Sequence, residues 1–181
     1  CAEYRKLAAE ARVGGMLSAK AGVVDMHMGD GRDGLKFLFE ITENGEIPKT
    51  QFIPTHLNRN EHLFRQSIEW AKAGGIMDIT SGVSPASGSA HAVKPSTAVR
   101  RALDEGVEIS QITMSSDGNG SMPIFDEKGN TIGVGVASQA SILEELRDMV
   151  LQEKIAPEVA VQIVTSNVAR ILKLSQKGHA A

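Results

Sequence analysis

The sequence predicts an α/β protein built on parallel strands. Three observations carry that reading. Short apolar runs that suit buried strands alternate with stretches of helical periodicity. Glycine pairs and Asn-Gly punctuate the alternation. Three strand candidates run out into a histidine or an aspartate, at His27, His56 and Asp117. Strands that alternate with helices pair in parallel through right-handed crossovers, so their carboxyl ends share one side. Four such units make half of an eight-stranded barrel or, alternatively, a small open sheet. No internal repeat is evident.

The elements follow in order. Ala2 to Arg12 reads as a helix with Leu7, Ala8 and Ala9 on one face, and Gly14-Gly15 is expected to end it. Val23-Val24-Asp25-Met26 is a short buried-strand pattern leading to His27, after which Gly29-Asp30-Gly31 turns the chain. Leu35, Leu38 and Phe39 give a helical stripe that Asn44-Gly45 stops. A second strand over Thr50 to Ile53 ends at His56. Asn60 is the expected cap of the next helix, whose periodic residues are Leu63, Phe64, Ser67, Ile68 and Ala71 and whose stop is Gly74-Gly75. Gly75 to Ile79 is the third strand candidate.

From Thr80 to Pro95 the chain is rich in Ser, Gly and Ala and shows no periodicity, as in a functional loop or a mobile one. Ser96 is expected to cap a helix reaching about Glu105. Ile109 to Met114 is the fourth strand, ending in Ser115-Ser116-Asp117-Gly118-Asn119-Gly120-Ser121, and Asp126 to Asn130 reads as a turn. Two helices finish the chain, Ser138 to Leu151 and Pro157 to Leu174, with Pro157 at the first position of the second.

A chain of 181 residues supports one domain with a sizeable core. Its 41% hydrophobic and 23% charged content is that of an ordinary globular protein. With 19 basic and 22 acidic residues the net charge is −3 and no basic cluster stands out, which argues against nucleic acid as a partner. No stretch approaches the roughly 20 apolar residues that span a bilayer, and no signal-peptide core opens the chain. A single cysteine, Cys1, excludes an intrachain disulfide and fits a reducing, cytoplasmic setting. The first residue is not Met, and no strand precedes the opening helix, so the chain is expected to be an excerpt of a longer protein.

His27, His56 and Asp117 would project from the same side of a parallel sheet. Neutral imidazole and carboxylate are good Zn²⁺ ligands, and a catalytic zinc keeps one position open for water. Each residue also has a plainer reading. His27 can donate to a backbone carbonyl, His56 can cap the next helix, and Asp117 can form an Asx-turn before Gly118. His62, His91 and His179 are not expected to be ligands. The D-x-N-x-S spacing from Asp117 resembles the start of a calcium loop, but Met122 stands where an EF-hand needs Gly, and Lys128 where it needs Glu. Gly29-Asp30-Gly31-Arg32-Asp33-Gly34 matches neither nucleotide-binding glycine pattern, and its aspartates would repel phosphate.

Four strings together resemble the isoaspartyl (β-aspartyl) dipeptidase family of the metal-dependent amidohydrolase superfamily. They are Arg12-Val13-Gly14-Gly15, His27-Met28-Gly29-Asp30, Pro54-Thr55-His56-Leu57-Asn58-Arg59-Asn60, and Ser115-Ser116-Asp117-Gly118-Asn119-Gly120-Ser121. The similarity runs from about Leu7 to Leu174. It implies a TIM-like (β/α)8 barrel of which residues 1–181 supply strands five to eight with their helices, as a fragment of a single catalytic barrel domain. It also implies two zinc ions in the complete site, with His27 and His56 holding one. Asp117 would hold the other and act as general acid/base. Two zinc ions lower the pKa of a bound water, so that hydroxide attacks an amide carbonyl at neutral pH. By the same resemblance Arg59 and Ser121 bind substrate carboxylate, a task that suits the planar fork of arginine. The implied partner is a small dipeptide, with no nucleic acid or membrane, and the full-length protein is expected to be a homo-oligomer.

Departures from the family pattern are equally informative. No His-x-His pair occurs. The carbamylated lysine that bridges the metals would lie before Cys1, as would the tyrosine and glutamate that complete the site. The Thr80–Ser96 loop is longer and richer in Ser and Ala than in the family, and the small β domain is missing. The chain therefore carries about half a site. Two other functions compete: an amidohydrolase of different substrate, such as a deacylase or cyclic amidase, and a non-catalytic half-barrel that acts as a binding module.

Overall fold

The computed structural model describes residues 2–126 and 130–179. Cys1 and the middle of the expected turn, Glu127 to Gly129, lie outside the described residues. In chain order the elements are α1 (Ala2–Ser18), β1 (Val24–His27), α2 (Lys36–Thr42), β2 (Phe52–Thr55), α3 (Glu61–Lys72), β3 (Met77–Thr80), α4 (Pro95–Asp104) and β4 (Ile112–Ser115). A hairpin of β5 (Ser121–Phe125) and β6 (Thr131–Val136) follows, then α5 (Ser141–Leu151), α6 (Pro157–Gln162) and α7 (Ser166–Ile171). The α/β alternation is as the sequence predicts.

Strand pairing is parallel in two separate ladders, β1 with β2 and β3 with β4. A continuous four-strand run, expected of a barrel half, is not what the hydrogen bonds show. Pro54 supplies a physical reason. The Thr55 carbonyl accepts from Met28 on the β1 side (3.2 Å), so by strand alternation the amide missing from Pro54 would have faced β3. The two ladders meet instead through Leu57 N–H to the Asp78 carbonyl (3.2 Å) and Thr55 Oγ1 to the Asp78 carboxylate (2.6 Å).

Burial grades across the strands. Every residue of β3 is buried, β4 and β2 nearly so, whereas β1 alternates between half-buried and exposed. Helices cover the buried strands. α3 presents Leu63, Phe64, Ser67, Ile68 and Ala71 inward, the face its periodicity predicts, and adds Trp70. Trp70 is fully buried, donates from Nε1 to the Ile76 carbonyl (3.1 Å) and meets Phe39 edge-on at 5.3 Å. Asn60 caps this helix as expected, its side chain accepting from Leu63 N–H (2.8 Å).

Three boundaries differ from the sequence reading for reasons the packing shows. Gly14-Gly15 does not end α1, which runs to Ser18 and closes with Ala19 in the left-handed region. Gly15 is instead a contact point, since a Cβ there would lie 2.6 Å from the Gly22 Cα as the chain returns toward β1. Ser96 is not the cap of α4; Pro95 takes the first helical position, and the Ser96 amide donates to buried Glu145 (2.7 Å). The final helix is broken into α6 and α7, because the chain between them turns aside and the Ile163 carbonyl accepts from Met114 of β4 (3.3 Å).

The β5–β6 hairpin was not legible as strands. Pro123, Gly133 and Gly135 dilute its strand signal, and Ile132, Val134 and Val136 point to solvent at 66%, 70% and 74% exposure. Its turn is closed by Asp126 N–H to the Asn130 carbonyl (2.9 Å).

The two glycines of α1 make opposite predictions. Gly14 has nothing within 4 Å of a Cβ position, so Gly14→Ala is expected to stabilise the fold by about 0.5–1 kcal/mol through helix propensity. Gly15→Ala meets backbone and is expected to cost about 1–3 kcal/mol. Urea denaturation of the two variants checks both signs.

Candidate functional site

The carboxyl ends of the strands carry most of the polar residues that the sequence singles out. β1 ends on His27, and β2 is followed directly by His56. Their rings meet edge-on at 4.8 Å, with His56 Nε2 3.2 Å from His27 Nδ1. His56 is buried, while His27 is exposed and has Asp25 3.7 Å from its Nε2. On its other side His56 Nδ1 pairs with Thr80 Oγ1, the last residue of β3, at 2.8 Å. A neutral imidazole that donates from Nδ1 to Thr80 turns the lone pair of Nε2 toward His27. Neutrality is favoured, because burial and then the Arg59 charge hold the His56 pKa below its ordinary value.

His56 and Asp117 share a backbone feature that sequence does not reveal. Both lie in the left-handed region, with φ of 64° and 52°. Non-glycine residues there are uncommon and concentrate at functional sites. The turn at Asp117 closes through Gly120 N–H to the Asp117 carbonyl (2.8 Å). Gly120 has no room for a side chain, since a Cβ would sit 2.7 Å from Asp117 Oδ1.

Two cavities meet at Asp117. One of about 400 Å³ is lined by His27, His56, Asp78 and Asp117, with Val168 and Ile171 of α7 on the apolar side. The other, about 530 Å³, is lined by Arg59, Ser121 and Asp117 together with Asp30 and His91. The three strand-end groups thus face one cavity, and the arginine and serine face a second that shares the aspartate. Arg59 Nε is buried with no hydrogen-bond partner among the described residues.

The donor set bears on whether a metal would fit. Two imidazole nitrogens 3.2 Å apart, on a buried and a solvent-facing ring, suit two positions around one ion. Among the described residues, however, no group of three or more His, Cys, Asp or Glu side chains is placed to hold a metal. The pair fits part of a site, and Asp117 lines the same cavity without completing a three-ligand group.

Sequence reasoning passed over three participants. Thr80 orients His56. His91, set aside as a ligand, lines the second cavity. Asp78 is buried at 5% exposure and accepts from Thr55 Oγ1, Thr113 Oγ1 and Ser115 Oγ, each at 2.6 Å. The available signal was the hydroxyl residues Thr55 of β2 and Thr113 and Ser115 of β4 around one carboxylate.

These features define an α/β protein whose polar pockets lie at the carboxyl ends of parallel strands. No protein-family model matches the chain. Among solved structures it is similar to the β-aspartyl dipeptidase of the thermophilic, keratin-degrading Fervidobacterium islandicum AW-1 in complex with a β-Asp-Leu dipeptide. The identity is 37% over 99% of this chain and 45% of that one, at a TM-score of 0.84. A second structure of β-aspartyl dipeptidase from the same organism matches at 34% identity over 97% of this chain and 42% of that one, with a TM-score of 0.79. The resemblance to β-aspartyl dipeptidases therefore holds over nearly the whole of this chain, which spans a little under half the length of those neighbours.

Asp78 yields a pH prediction. Burial pushes its carboxyl pKa up, outweighing the three hydroxyl donors. A folded-state pKa above the unfolded one makes its contribution fully present below the unfolded value and lost as pH rises through the folded value. Asp78→Asn removes that loss, so the variant should gain stability relative to the native chain between acidic and neutral pH. Urea melts at fixed salt across that range measure the gain; a difference that stays flat with pH would contradict it.

Proposed function

We propose that this chain is the strand-five-to-eight part of the (β/α)8 barrel of a β-aspartyl (isoaspartyl) dipeptidase, a zinc-dependent hydrolase of the amidohydrolase superfamily. The observation that carries the reading is the match to β-aspartyl dipeptidase structures over 99% of the chain at 37% identity. The whole enzyme is read as a cytoplasmic homo-oligomer whose partner is a small dipeptide; no helix among the described residues is long and apolar enough to cross a membrane.

The chain's own residues divide the work. His27 and His56 would hold one zinc ion and Asp117 the other, with Thr80 fixing the His56 ring from its far side. Zinc, when bound, lowers the pKa of water so that a nucleophile is available at neutral pH. The Asp117 carboxylate takes the proton from the attacking water and returns it to the leaving amine nitrogen as the isopeptide C–N bond breaks. Arg59, with a buried N–H that lacks a protein acceptor, pairs with a substrate carboxylate, and Ser121 at the start of β5 donates to the same group.

Three outcomes test this. The full-length enzyme should hydrolyse β-Asp-Leu, lose activity on chelation and regain it with zinc. Arg59→Met should lower kcat/KM by about 100-fold, because a buried charge on the substrate loses its partner; unchanged kinetics would favour a substrate without a free carboxylate. The isolated 181 residues should show no turnover, since they hold no His-x-His pair. Zinc-dependent hydrolysis by them alone would overturn that division of the site.

A further inference from the structure

The left-handed backbone at His56 and Asp117 needs support, because such conformations persist only where the surroundings hold them. Around His56 the support comes residue by residue from β3. Thr55 Oγ1 donates to Asp78 Oδ2 (2.6 Å), and Leu57 N–H donates to the Asp78 carbonyl (3.2 Å). Two positions along, Thr80 Oγ1 pairs with His56 Nδ1 (2.8 Å), and Thr80 N–H donates to Asn58 Oδ1 (2.9 Å). The Asn58 amide in turn donates to the carbonyls of Val83 (2.7 Å) and Val93 (3.2 Å), near the two ends of the Ser-rich loop after β3. Each of the four residues from Thr55 to Asn58 is thus fastened to β3.

On the Asp117 side the fastening returns to the same carboxylate. Ser115, two residues before Asp117, donates from Oγ to Asp78 Oδ2 (2.6 Å), and its carbonyl accepts from Ser81 N–H (2.8 Å). Thr113, deeper in β4, uses the other oxygen, Oδ1 (2.6 Å). The two oxygens therefore have different duties. Oδ2 joins the strand ends that lead to His56 and Asp117, while Oδ1 holds the body of β4. No ladder pairs β2 with β4, so this one buried atom links their side chains directly.

We propose that Asp78 is a positioning residue whose Oδ2 fixes the ends of β2 and β4 against each other and so sets how His56 stands relative to Asp117. The proposal rests on the function proposed above for the two zinc ions, while the link between the strands does not.

The test uses the full-length enzyme and three variants that each remove one hydroxyl and keep the carboxylate: Thr55→Val, Ser115→Ala and Thr113→Val. Competition with a chelating dye gives the two zinc affinities without turnover, and His56→Ala and Asp117→Ala show which binding step is which. Thr55→Val should weaken the ion assigned to the histidines about tenfold, and Ser115→Ala the ion assigned to Asp117 about tenfold. Thr113→Val should weaken neither by more than about twofold, although its urea midpoint falls. Equal weakening by all three variants would mark Asp78 as a general stability residue and overturn the proposal, as would a Thr55→Val or Ser115→Ala variant that leaves its ion unaffected. A native enzyme that binds no zinc would overturn the function proposed above, and amide exchange then decides the link. Leu57 N–H in Thr55→Val and Ser81 N–H in Ser115→Ala should exchange about tenfold faster than in Thr113→Val. Equal rates in the three variants overturn the link itself.

Discussion

One buried carboxylate compensates for an interrupted backbone ladder. Pro54 cannot donate across to β3, and the two parallel pairs would otherwise meet with little to set their relative register. Asp78 draws hydroxyls from Thr55 on β2 and from Thr113 and Ser115 on β4, so it spans the gap from the middle of β3. Side-chain bonds of this kind are directional and lie in a low-dielectric interior, where each is stronger than in water and costly to lose. This knot ties the ends of β2 and β4 to β3, beside the cavity that the two histidines and Asp117 line.

From there the order is outward. Thr80, one turn of the strand beyond Asp78, steers His56; Asn58 grips both flanks of the loop that returns over Arg59. Each of these side chains satisfies a buried polar group while aiming a neighbour. The stretch from Pro54 to Asn60 thus does several jobs in seven residues: it interrupts a ladder, supplies an imidazole in the left-handed region, anchors a loop, offers a guanidinium and caps α3.

Much of the layout was legible in the sequence because it rests on periodicity. The inward face of α3, its Asn60 cap and the placing of His27, His56 and Asp117 after apolar runs need only local pattern. Other features depend on what a residue touches at long range. Gly15 looked like a helix stop because glycine often is one, and its role is set by Gly22 passing 2.6 Å from its Cβ position. The break between α6 and α7 answers to β4, about 50 residues earlier in the chain. The hairpin carried its apolar residues on the solvent side, which inverts the signal that pattern reading relies on. Within the site, the imidazoles and the aspartate could be named from position, whereas Thr80, Asn58 and Asp78 act through bonds between segments 22 to 37 residues apart.

The position of Asp117 has a consequence for how such a protein can change. Its side chain belongs to the linings of both chambers, and a side chain at position 120 would collide with it. Any replacement or change of charge there is felt electrically on both sides at once. Evolution, or an engineer, can retune the grip on a guest through the outer walls, but not by altering this residue without disturbing the reactive half as well.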